Sequence, residues 1–238
     1  MPLVAAAVCP HPPLLVPEVA GVAASELDDL RAACDLAVRR LLAADPDAVV
    51  LLGVGPSTGP IRPPATGSLQ PWGVDLDVPL SPGQPDRGAV LPLSLTVGAW
   101  LLARHAARPA VTAVQVTADA GPVEVAALAE QVAAAGERVA LLALGDGSAC
   151  RGEKAPGYDD QRALPYDKRV AAALAEADLD ALRDLDAGLS GQLKVAGRAS
   201  WQVLAEAARS SGGGWRGELL HDSAPYGVAY FVASWERA

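Results

Sequence analysis

The chain has 238 residues, 51% hydrophobic and 20% charged, which is ample material for one sizeable core and excludes a disordered chain. A formal net charge of −9 repels phosphate backbones, and no Lys/Arg run overrides it, so nucleic acid is excluded as an expected partner. The longest apolar runs, such as residues 48–54 and 139–144, fall far short of the roughly 20 residues that cross a bilayer, so no membrane span is expected.

The start, Met1-Pro2-Leu3-Val4, lacks the basic opening of a secretory signal, and a cytoplasmic location is the expectation. Cys9, Cys34 and Cys150 form neither an even set nor a CxxC pair, which reads as free thiols rather than a disulfide framework or a zinc knuckle.

In chain order, residues 3–9 form an apolar run closed by Pro10, too short for a helix, and read as a buried strand. From 22 to 44 the apolar positions Leu27, Leu30, Ala33, Ala37 and Leu41 recur at helical spacing, with Ser25 as N-cap candidate and Pro46 beyond the end. Residues 48–54 are a second buried strand, and strand, helix, strand in this order implies a parallel sheet. The stretch 57–84, dense in Pro and Gly, is too long for an ordinary connection and reads as an active-site loop or a surface excursion.

Helical patterning resumes over 91–107, followed by a strand at 111–116, a helix near 123–135 and a strand at 139–144. A polar loop, 146–160, leads to helices from Tyr166 and Leu179 and near 199–209, a Gly-rich turn at 212–214 and a closing strand at 228–234. With no repeat and no linker-like composition shift, the expectation is one domain over 1–238. Its fold class is α/β: a mostly parallel central sheet flanked by helices on both faces.

Open parallel sheets bind ligands outside the carboxyl ends of their strands. Three segments leave such ends: Cys9-Pro10-His11-Pro12-Pro13, Gly53-Val54-Gly55-Pro56-Ser57 and Gly145-Asp146-Gly147-Ser148-Ala149-Cys150. His11, Pro56 and Asp146 are therefore expected around one crevice, which Cys9, Ser57, Ser148, Ala149 and Cys150 would line.

His11, pinned between prolines, suits a metal ligand or an acid/base, or else a loop imidazole bonded to backbone. Asp146 suits a partner for an imidazole or a metal, or a turn former. His221, beside Asp222, is a candidate for the same crevice or an ordinary loop-to-strand pair, whereas His105 near a helix end suits the helix dipole. Gly53 and Gly55 lack the rest of a phosphate-binding or dinucleotide fingerprint and read as a tight turn.

Taken together, Ala7-Val8-Cys9-Pro10-His11-Pro12-Pro13, the strand into Gly53-Val54-Gly55-Pro56, and Gly145-Asp146-Gly147-Ser148 leading to Ala155-Pro156-Gly157-Tyr158-Asp159 resemble the LigB-type class III extradiol dioxygenase and Memo-like superfamily. So do Ala196-Gly197-Arg198 and the ending Ala224-Pro225-Tyr226-Gly227-Val228-Ala229-Tyr230. The resemblance spans most of the chain and rests on the order of five short motifs.

It implies a non-haem Fe(II) held by histidines and a carboxylate or similar ligand, with open positions for a catechol and dioxygen. His11 matches the first histidine. The second is expected in a Gly-Pro-His-like turn, where this sequence has Gly55-Pro56-Ser57; the acid/base histidine of an Asp-Leu-Ser-His-like motif falls on Ala149. His221, Asp222, Asp146, Cys9 and Cys150 are the candidates to replace them.

Three functions follow as expectations. The first is a metal-dependent, oxygenase-like enzyme with an altered ligand set; the second is a catalytically silent domain on the same scaffold, binding protein or a small, aromatic molecule. A hydrolase or transferase drawing on Ser57, Ser148 and Cys150 ranks last, in the absence of a GxSxG or HExxH motif. The sequence leaves a homo-oligomer open.

Overall fold

The four apolar runs form the middle of one sheet. A computed structural model describes residues 3–83, 88–105 and 109–238. In it β1 (Leu3–Cys9) leads through the short helix α1 (Pro17–Ala20) and a 3₁₀ stretch into α2 (Asp28–Ala43) and β2 (Ala48–Val54). The helix begins later than its apolar periodicity suggests, and Ser25 does not cap it: its backbone carbonyl accepts from Asp28 inside the 3₁₀ stretch. Asp28 and Asp29 in the first turn and Arg40 in the last suit the macrodipole.

The Pro-rich segment has structure of its own: β3 (Gly59–Ile61), β4 (Ala65–Ser68) and β5 (Asp77–Pro79), with Gln84 outside the described residues. Then come β6 (Ala89–Val90), α3 (Leu93–Ala103), β7 (Ala110–Val116), α4 (Pro122–Ala133) and β8 (Val139–Leu144). The part of the expected 91–107 helix at 106–107 lies outside the described residues. The chain ends through α5 (Ala163–Glu176), α6 (Leu179–Arg183), α7 (Ala187–Gln192), α8 (Arg198–Ser210), β9 (Trp215–Ser223) and β10 (Tyr230–Arg237).

The main sheet has the order β3-β7-β2-β8-β1-β10-β9. Its centre, β7-β2-β8-β1, is parallel, but β3 pairs antiparallel with β7, β10 with β1 and β9 with β10. The sheet is thus mixed rather than mostly parallel. The reason lies in β9: exposed Arg216, Glu218 and Asp222 alternate with more covered residues, so it carries no apolar run and forms a hairpin wing beyond β1. A second sheet, β5-β4-β6, packs on α3.

Helices cover both faces. Residues of α2 and α3 bury one face with Ala5, Ala7, Leu51 and Leu142; those of α4, α5 and α8 bury the other with Ala6, Val8, Leu52 and Leu141. Burial of both faces along the strands, apart from a register shift between Leu3 and Ala5, makes the central strands read as continuous apolar runs. Among the described residues no helix is long and apolar enough to cross a membrane.

Candidate functional site

Because β7, β2, β8 and β1 run parallel, the segments that follow them emerge on one edge. Two of them interlock. Gly145 N–H donates to the Cys9 carbonyl (3.0 Å) and Gly197 N–H to the Asp146 carbonyl (2.8 Å). A Cβ on Gly145 would collide with Gly197 Cα, so glycine at both places lets the turn before α8 close over the end of β8.

That closure sets Asp146 against His11. The His11 backbone N–H donates to Asp146 Oδ1 (2.8 Å), and His11 Nδ1 lies 3.6 Å from the same oxygen. The imidazole is 8% exposed, and its Nδ1 is buried without a hydrogen-bond partner among the described residues. Tyr230 opens β10 nearby: burial first, and then the charge of Asp146, push its phenol well above its usual range. Trp201 Nε1, packed against Gly145 and Gly197, is a second buried donor without a partner among the described residues.

Pro56 and Ser57 stand apart. They share the edge, but β8 intervenes between β2 and β1, which puts them roughly 10 Å away along the sheet, two strand spacings. Both are exposed, and Ser57 Oγ accepts from Gln115 Nε2 (2.8 Å). Position 55, just ahead of this turn, is glycine because a Cβ there would strike the Gln115 side chain.

Three residues expected to line the crevice face the interior instead. Cys9 is fully buried as a free thiol in the α2 and α3 core beside the free thiol of Cys34; burial first, and then this neighbour, push the Cys34 thiol up. Ser148 is fully buried, donating from N (2.9 Å) and Oγ (2.6 Å) to the two carboxylate oxygens of Asp167. Cys150 Sγ points inward to the carbonyls of Gly157 and Leu193 (3.4 Å each), and burial raises its thiol. Ala149, in the same loop, is tied by its backbone to Leu193 and Gly157.

His221 precedes the closing strand β10 but lies within β9, its hairpin partner, rather than at a loop-to-strand junction. It lies on the α2 side of the wing, paired with Val232, with Nε2 2.7 Å from Ser223 Oγ. Burial lowers its pKa, against the opposing charges of Asp29 and Asp222.

Asp167, Tyr230 and Arg151 escaped sequence reasoning. Asp167 carried a signal: it falls on the buried face of α5 with Ala163, Val170, Ala171 and Leu174, and a carboxylate on an apolar stripe needs a partner. Burial pushes its carboxyl above the ordinary range, against the lowering effect of Ser148.

The donors do not fit a three-ligand Fe(II) site. His11 and Asp146 are together, but the position expected for the second histidine ligand offers a serine hydroxyl engaged with Gln115, and the expected acid/base position offers only a methyl group. Among the described residues no three of His, Cys, Asp and Glu come together as a metal group.

The class defined so far is an α/β fold with a seven-stranded mixed sheet and an interlocked strand-end site. Solved structures share this fold. One is the crystal structure of the uncharacterized protein JW3007 from Escherichia coli K12, similar over 98% of this chain and 99% of that chain with a TM-score of 0.55 at 13% identity, which makes the likeness one of fold. No protein-family model and no curated protein sequence matches the chain.

Proposed function

We propose that the chain is a divergent LigB and Memo-like scaffold whose strand-end edge binds a small molecule and does not open catechol rings. The observation that carries this reading is the donor set: His11 against Asp146, with Ser57 and Ala149 where the resemblance places a metal ligand and an acid/base. Removing one supporting group from a metal site costs about 10- to 100-fold in affinity or activity. Loss of general acid/base catalysis costs about 10²- to 10⁴-fold more.

A second reading, a metal-dependent oxygenase with an altered ligand set, is favoured by one feature, the buried Nδ1 of His11, which has no hydrogen-bond partner among the described residues. Anaerobic reconstitution with Fe(II), elemental analysis and oxygen uptake on a catechol panel separate the two. The binding reading expects substoichiometric iron and no uptake above the protein-free rate. Stoichiometric iron that disappears in His11→Ala, together with uptake, overturns it in favour of the enzyme.

A further inference from the structure

A hollow beside this edge has chemistry that neither His11 nor Asp146 uses. After Ser148 the loop turns at Arg151, whose backbone N–H donates to the Gly227 carbonyl (3.0 Å). That bond sets residues 151–155 against the turn ahead of β10. Between them lies an open cavity of 530 Å³, lined by Arg151, Lys154, Ala155, Pro225 and Tyr226 among others.

The guanidinium of Arg151 is partly covered, yet its fork is unused. Its charged neighbour is Asp167, at an Nη1–Oδ2 separation of 3.9 Å, too long for a hydrogen bond. Both oxygens of Asp167 are already occupied by Ser148. Among the described residues neither the Arg151 guanidinium nor the Lys154 ammonium donates a hydrogen bond. Of the lining side chains, Glu153 alone opposes them in charge.

Two cations without hydrogen-bond partners among the described residues, at a concave surface with an apolar wall, are matched to an oxyanion: the planar fork takes two oxygens at once and the ammonium adds a point charge. We propose that this hollow binds a small organic anion, its carboxylate or phosphate held by Arg151 and Lys154 and its apolar body against Pro225 and Tyr226. The proposal deepens the binding reading and rests on it in taking this edge of the sheet as the ligand-facing one, but needs nothing from His11.

Titration calorimetry of the whole chain at low ionic strength, with benzoate, phenyl phosphate, inorganic phosphate and benzamide, tests it. Saturable 1:1 binding of benzoate or phenyl phosphate, tighter than inorganic phosphate and without heat from benzamide, is expected; whichever organic anion binds more tightly identifies the headgroup. Arg151→Gln should weaken that binding about tenfold or more, Arg151→Lys less, and Glu153→Gln should tighten it, with an unchanged circular dichroism spectrum in each. Added salt should weaken binding. No saturable heat from either organic anion, equal affinity for benzamide, inorganic phosphate binding as tightly as the organic anions, or undiminished binding in Arg151→Gln would each overturn the proposal. Iron uptake and catechol turnover are read in separate assays, so a failure of the functional reading is distinguishable from a failure here.

Discussion

The end of β2 and the ends of β1 and β8 open on the same edge of the same sheet but are built differently. Around β1 and β8, backbone donors meet buried acceptors: Gly145 on Cys9, His11 on Asp146, Gly197 on Asp146 and Ser148 on Asp167. At β2 the turn runs outward, Pro56 and Ser57 are exposed, and the hydroxyl is held by Gln115 at the surface. A site assembled from both would join a rigid half to a solvated one, and the residues that differ most from the extradiol pattern are divided between them. The comparison teaches that nearness to a strand end does not make a crevice; what matters is whether the following segment folds over its neighbour or away from it.

The largest effect should come from Asp167→Ala, which leaves the Ser148 N–H and Oγ without an acceptor at a position fully closed to water. Each unsatisfied buried group costs about 1–3 kcal/mol, so a loss of about 3 kcal/mol is expected in denaturant unfolding, and a loss below about 1 kcal/mol would mean that the loop is not held this way. Asp146→Ala should cost less, about 1–3 kcal/mol, because a single backbone N–H, that of His11, loses its charged acceptor. Its signature is local: faster hydrogen exchange at His11.

Acidity sharpens the contrast between Asp167 and the wing. The folded carboxyl of Asp167 titrates above its unfolded value of 3.8, so the folded state holds that proton more tightly, and stability contributed by it falls as pH rises from below 4 through the raised pKa. Asp167→Asn should remove this fall from a stability profile across acidic pH. His221 acts in the opposite sense: burial lowers its folded pKa below 6.5, so stability falls as pH drops through 6.5, and His221→Gln should flatten that limb.

The smallest effect is expected for Ser57→Ala, where an exposed hydrogen bond to Gln115 is lost. A change within about 0.5 kcal/mol is predicted. A loss above 1 kcal/mol would show that the β2 end is as structured as its neighbours and would erase the comparison.

Much of the candidate site was legible from strand ends alone. His11 and Asp146 are both placed by the rule that parallel strands open on one edge, and the fold brings them into contact. Strand ends do not carry the direction of the side chains. Cys9, Ser148 and Cys150 lie in the right segments but point into the cores, because alternation sends every second residue of a strand inward and the segment 145–150 is folded under Gly197 and Leu193. His221 was misplaced for a different reason: β9 carries charges at alternate positions, and a half-exposed strand of this kind resembles a loop when no partner is known.

By itself the sequence determined the central strands and most of the helices, because continuous apolar runs and 3.6-residue periodicity are local consequences of burial on two faces or on one stripe. It also determined the chemistry at positions 57 and 149, which no folding can alter. Only the tertiary structure decided that the sheet is mixed, that Asp167 rather than solvent receives Ser148, and that Arg151 is left with an unused fork at an open hollow. Each depends on segments distant in sequence meeting in space, and pairing energies across such separations leave no periodic trace in the chain.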